Sequence, residues 1–183
     1  MQGNIRTYNE MFGIIVQARL TGKRFPNKIL CKLNGKMIID HVIDNLKDIP
    51  NSKLVFAIPE TMENDYLADL LDERDIPYSR GPEVDVLGRF WKCCEQFSFN
   101  TIVRVCCDTP FINQEDIMEQ LARFEKKGFS YGNGCWVFSR KDLEEAEKNQ
   151  VHAKSREHVV RSMFNSVDYR DDIPRLEEKF FTV

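Results

Sequence analysis

Four cations fall within ten residues of the segment QARLTGKRFPNKIL (residues 17–30): Arg19, Lys23, Arg24 and Lys28. Arginine presents a planar fork of donors and lysine a compact point charge, a combination suited to a polyphosphate. Gly22 permits close backbone approach, and Pro26 stiffens the turn. Neither GxxxxGK[ST] nor GxGxxG occurs anywhere in the chain. A cluster of cations in a loop is also what solvated surface looks like, and that alternative stands on these residues alone.

Two further segments carry chemistry. Asp108 directly follows the apolar run TIVRVCC, a position where a hard cation such as Mg²⁺ would find carboxylate oxygen. An aspartate two residues before Pro110 equally suits a turn or a helix cap. In RGPEVDVLGR (residues 80–89), Arg80 and Gly81 could line a base or a ribose, and Asp85 could cap the following helix. The histidines, His41, His152 and His158, are scattered, and no Ser-His-Asp or Cys-His set is evident.

The elements that must position these residues follow from periodicity. Phe12–Gln17 (FGIIVQ) is a short apolar run of the kind buried on both faces of a parallel sheet. Met37, Ile38, Val42, Ile43 and Leu46 recur at helical spacing before Pro50. Strands are predicted at 53–59, 76–80, 101–107 and 131–138, with another beginning at 179. Helices are predicted at 65–74, 85–97, 114–127, 142–148 and 158–164. Strands alternating with helices predict an α/β fold: a mainly parallel sheet with helices on both faces, whose ligands lie beyond the carboxyl ends of the strands. Three polar segments follow strand ends there: 17–28, 80–89 and Asp108.

Bulk properties bound the rest. The chain has 183 residues, of which 42% are hydrophobic and 30% charged, enough for one domain with a sizeable core. Residues 1–11 read as an N-terminal extension and 12–183 as a single domain. A net charge of −3 argues against nucleic-acid binding driven by phosphate neutralisation. No run of about 18 apolar residues suggests membrane insertion. The polar opening lacks a secretory core, so a cytoplasmic location is expected. Six cysteines without a CxxC pair argue against structural zinc and for buried reduced thiols.

Taken in order, the segments resemble one family. QARLTGKRFPNKIL is similar to the QAR-x(3)-[ST]-RLPGK-x-L signature of cytidylyltransferases related to spore-coat polysaccharide synthesis, CMP-Kdo synthetase and acylneuraminate cytidylyltransferase. RGPEVDVLGRF resembles the family's RG-x(2)-DDVLGRF, and VRVCCDTPFI its VRI-TGDCPLI. WVFSRKDLEEA and SREHV resemble the later EVFSREALE and REHVTP segments. The resemblance implies a nucleotide-diphospho-sugar transferase architecture. It further implies CTP and a small-molecule acceptor as partners, Mg²⁺ as cofactor, and CMP transfer with release of pyrophosphate for surface glycan synthesis. Carried over by position, Gln17, Ala18, Arg19, Arg24, Lys28, Arg80, Gly81 and Asp85 bind the nucleotide. Arg19, Lys28 and Asp108 do the chemistry, with Asp108 as the metal ligand. Relatives of this kind often form homodimers.

The pattern breaks in four places. Asn27 replaces a glycine, although asparagine is the next most tolerant residue of positive φ. Cys106-Cys107 replaces Thr-Gly. Residues 132–138 (GNGCWVF) lack the family's acids. The family's late TVDTPEDL carries a second metal aspartate, and with the TV of KFFTV matched to its first two residues that aspartate is expected one residue beyond Val183. From these departures nucleotide binding with weak turnover is expected. The alternatives are a nucleotide-binding homologue without activity, or a same-fold transferase using another nucleotide.

Overall fold

The computed structural model describes residues 8–22, 25–149, 156, 157 and 159. Eight strands are formed among them: β1 (Phe12–Gln17), β2 (Lys32–Leu33), β3 (Lys36–Met37), β4 (Ser52–Pro59), β5 (Tyr78–Gly81), β6 (Thr101–Cys106), β7 (Ser130–Gly132) and β8 (Cys135–Ser139). The helices are α1 (Ile38–Leu46), α2 (Asp65–Asp72), α3 (Val86–Phe97), α4 (Gln114–Lys127) and α5 (Arg140–Asn149). Six strands make one sheet in the order β5-β4-β1-β6-β8-β7. β5, β4, β1 and β6 run parallel, while β8 and β7 add antiparallel.

Alternation along the strands divides the core in two. Phe12, Ile14 and Val16 of β1 join Leu54, Phe56 and Ile58 of β4 beneath α1, α2 and α4. Ile15, Val55, Ala57, Ile102 and Phe138 point the other way and are covered by α3 and α5. A strand apolar on both faces has to be central, and β1 is flanked by β4 and β6. Gly13 sits where the Phe99 ring crosses β1: a Cβ there would lie 2.2 Å from that ring.

Helix ends follow local chemistry. Asp85 accepts from the Gly88 amide at 2.9 Å and caps α3. Asn113 and Asp116 form a reciprocal capping box on α4, which ends at Gly128 with φ 74°.

Two expectations need correction. The single strand expected at 131–138 is a hairpin, β7–β8, turning at Asn133 (φ 50°) and Gly134 (φ 84°). An Asn-Gly pair favours such a turn because both central residues need positive φ. Met37 does not begin a helix; it closes the small β2–β3 hairpin, which turns at Asn34-Gly35. The helix expected at 158–164 and the strand expected from 179 lie outside the described residues. All six cysteines are free; Cys93, Cys94, Cys107 and Cys135 are buried and the other two half-buried.

Candidate active site

The four parallel strands end on one edge of the sheet, and the loops leaving that edge carry the charged residues. Gln17 is level with Ala57 of β4 and Cys106 of β6. Its side-chain oxygen accepts from Arg104 Nη2 at 2.9 Å, and its carbonyl accepts from the Cys107 amide at 3.0 Å. Arg104 also donates to Cys106 Sγ at 3.3 Å. Buried Ala18 continues toward β4 through a 3.4 Å bond to the Ala57 carbonyl.

The loop after β1 folds back on Leu20. The Leu20 amide donates to buried Asn64 Oδ1 at 2.8 Å. Its carbonyl accepts from Gly22 at 3.0 Å and from Asn27 at 2.8 Å. Asn27 adopts φ 57°, a left-handed conformation that asparagine tolerates better than most residues. Lys28 opens a short 3-10 turn (Lys28–Leu30) anchored by buried Ile29. From there Lys28 reaches across to pair with Asp108. Asp108 leaves β6 on a tight turn in which the Thr109 amide returns to the Cys106 carbonyl at 3.1 Å. The tip of the β7–β8 hairpin abuts this turn: a Cβ on Gly134 would come within 3.1 Å of Thr109 Cγ2.

A second cluster lies between the loop after β1 and the loop after β5. Thr21 Oγ1 donates to Glu83, joining the two loops. Beneath them Arg89 of α3 is buried at 0% exposure. Burial, reinforced by the charge of Arg19, pulls the Arg89 guanidinium down to about 10, against the opposing charges of Glu83 and Asp85. Gly81 gives it room, since a Cβ there would stand 3.2 Å from Arg89 Cγ. Among the described residues Arg19 has no side-chain hydrogen bond or ion pair.

Of the residues singled out in the sequence, Gln17, Ala18, Lys28 and Asp108 lie at the ends of β1 and β6, and Arg19 stands close enough to Arg89 to act on its charge. Gly81 and Asp85 stand on the neighbouring loop. Arg80 is committed elsewhere: its Nη2 donates to Asp65 at 2.6 Å and to the Thr61 carbonyl at 3.1 Å, and its Nε to the Pro59 carbonyl at 3.3 Å. Asp85 holds both α3 and Arg156, through bonds of 2.9 and 2.7 Å. Arg24 lies outside the described residues. Arg89 was missed, yet its signal was readable: it fills an i+3 slot in the apolar stripe Val86, Phe90, Cys93 of α3. Among the described residues no three potential metal ligands converge, and no helix is long and apolar enough to cross a membrane.

Comparison with known proteins adds a family-level finding. A family model described as cytidylyltransferase matches residues 13–179. An uncharacterized protein of Methanocaldococcus jannaschii is 32% identical over 155 residues, covering 80% of this chain and 64% of that protein. The 3-deoxy-manno-octulosonate cytidylyltransferase of Wigglesworthia glossinidia brevipalpis is 29% identical over 63% of this chain and 48% of its own. The spore coat polysaccharide biosynthesis protein SpsF of Bacillus subtilis is 29% identical over 61% and 49%. The chain thus spans half to two thirds of the length of these curated relatives. Among solved structures, a cytidylyltransferase from Leptospira borgpetersenii superposes with TM-score 0.74 at 21% identity, over 82% of this chain and 69% of that one. A CMP:2-keto-3-deoxy-manno-octonic acid synthetase complexed with CTP superposes with TM-score 0.66 at 11% identity, over 92% and 98%. At those identities the two structures speak for the fold alone.

Proposed function

The chain belongs to the cytidylyltransferase family, and from that premise we propose that it transfers CMP from CTP to a sugar-acid or similar small acceptor in surface glycan synthesis. The observation that carries the reading is the meeting of Lys28 and Asp108 at the ends of β1 and β6, 80 residues apart in sequence. A cation and a carboxylate in contact, both about 40% exposed, form a site that can exchange its internal pair for ligand phosphate and metal.

In the reaction, an acceptor oxygen attacks the α-phosphorus of CTP. The bond from that phosphorus to the bridging oxygen breaks, and pyrophosphate leaves with the electron pair. The acceptor's proton, if it is a hydroxyl, passes to solvent. Arg19, without a hydrogen-bond or ion-pair partner among the described residues, and Lys28, released from Asp108, neutralise the charge that grows on the leaving pyrophosphate. Gln17 and Ala18 hold the loop in register with the sheet, so that these cations are positioned before the ligand arrives.

Mg²⁺ fits the donor set in one form only. Asp108 is a half-exposed carboxylate with no convergent set of three ligands among the described residues, and magnesium commonly takes one or two carboxylates while keeping waters and substrate phosphates. When bound, it supplies charge neutralisation on the phosphates. Pyrophosphate release measured with CTP, UTP, ATP and GTP tests the function. Release with CTP and a sugar-acid acceptor is expected, and no CTP binding at all would overturn it.

A second reading, nucleotide binding with little turnover, is favoured by the β7–β8 hairpin. Its tip reaches the Asp108 turn yet presents Asn133 and Gly134 rather than acids. Binding of CTP without pyrophosphate release across an acceptor panel would select it.

A further inference from the structure

Among the described residues, Arg89 is the group with the most buried polar atoms left without a hydrogen bond. Its guanidinium is fully buried. Its Nη1 makes one long bond, 3.4 Å, to the Pro82 carbonyl. Its Nε and Nη2 have no hydrogen-bond partner among the described residues. A buried charge with two idle donor nitrogens is costly, because each donor has lost its water and gained nothing. Glu83 and Asp85 lie near enough to act on its charge, but neither hydrogen-bonds to it; Glu83 is taken by Thr21 and Asp85 by Gly88 and Arg156.

Its position gives the idle fork a use. β5 ends at Gly81, beside Arg89, and the sheet order places β4 and then β1 next to it. From β5 to β1 is two strand spacings, about 10 Å. The Lys28–Asp108 pair lies at β1 and β6, on the far side of that interval. A nucleotide with its phosphates at Lys28 and Asp108 spans that interval if its base is laid toward the β5–α3 junction.

Resting on the reading of the chain as a CTP-using transferase, we propose that Arg89 reads the base, donating from Nε and Nη2 to the N3 and O2 atoms of cytosine. Cytosine offers those two acceptors side by side, at the spacing a guanidinium fork matches. Uracil carries a proton on N3, so along the same edge it offers only O2 and sets a donor against a donor. A buried site built around such a fork therefore favours cytosine and leaves one donor unpaired when uracil enters. Because Arg89 is fully buried, this role requires the two loops joined by the Thr21–Glu83 hydrogen bond to part when the base enters.

The test compares CTP and UTP binding by calorimetry for the parent chain, Arg89→Met and Arg89→Lys, with melting temperatures alongside. Arg89→Met removes a buried charge at similar volume, so its fold is expected to survive. Arg89→Lys keeps the charge but loses the fork. The parent is expected to prefer CTP. In both variants CTP binding is expected to weaken by about 10- to 100-fold while UTP changes little, so that the preference collapses. Equal weakening of both nucleotides, or a preference retained by either variant, overturns the role of Arg89 and leaves the transferase reading standing. A parent that binds neither nucleotide overturns both.

Discussion

Asp85 and Arg156, 71 residues apart, are locked in a two-pronged ion pair, with Arg156 Nε and Nη2 donating to the carboxylate at 2.9 and 2.7 Å. The same carboxylate accepts from the Gly88 amide, and the same guanidinium donates to Glu147 of α5 at 2.8 Å. One aspartate thus begins α3 and ties it toward α5. Asp85→Ala is expected to lower stability by about 2–4 kcal/mol, combining a lost cap with lost charged hydrogen bonds. Asp85→Asn, which keeps the cap, should lose less. Urea denaturation of the three proteins separates the two contributions.

The Lys28–Asp108 pair should behave in the opposite manner. Both side chains are substantially exposed, and such pairs contribute little to stability. Asp108→Asn and Lys28→Met are therefore expected to melt within a few degrees of the parent. Lys28→Met should raise the CTP dissociation constant by at least about tenfold, and Asp108→Asn should abolish metal-dependent pyrophosphate release. A large fall in melting temperature with unchanged nucleotide binding would show the pair to be structural.

Gly13→Ala tests the packing of the central strand. The added methyl would overlap the Phe99 ring, whose nearest atoms lie 2.2–2.5 Å from the ideal Cβ position. A cost of about 1–3 kcal/mol is expected. Combining it with Phe99→Leu should recover part of that loss, and a double-mutant cycle by urea denaturation would read the coupling.

The buried thiols set an alkaline limit. Burial pushes Cys93 up to about 12, Cys94 to about 11 and Cys135 to about 12, and raises Cys107 as well. The folded state holds these protons more tightly than the unfolded chain does. Their contribution is therefore complete below the ordinary thiol value near 9 and fades as pH climbs above it, by about 1.4 kcal/mol per pH unit for each thiol that has not yet ionised in the fold. Denaturation midpoints should fall steeply between pH 9 and 10.5. At pH 7.5 a thiol reagent should modify half-buried Cys31 and Cys106 well before the other four.

Much of this architecture was legible in the chain because its signals are local. FGIIVQ is apolar at every position but the last, so a central strand was the only placement that buries both faces. Asp85 and Asn113 precede their helices as caps should. The β7–β8 turn was legible too, in Asn133-Gly134, but the apolar run around it masked the break. The site was harder to read because it depends on what cations do after folding. Arg80 looks like a ligand residue in RGPEV, yet Asp65 and two carbonyls engage it, and nothing near Arg80 in sequence announces them. Arg89 looks like an exposed helix residue unless its place in the apolar stripe is noticed. Pairing of Lys28 with Asp108 requires knowing that β6 lies beside β1, a long-range fact that spacing does not encode.

That strand order also governs how the chain must be made. β1 is synthesised first among the sheet strands, yet its two neighbours are β4 and β6, and the second of these is complete only at Cys106. On the ribosome, this largely apolar six-residue ribbon therefore waits with both edges bare until β4 is made, and with one still bare until roughly ninety residues have been added. Long-range parallel pairing of this kind is slow and leaves strand edges open to wrong partners. Overexpression at reduced temperature, or with folding assistance, should accordingly raise the soluble yield more than any change confined to the catalytic loops.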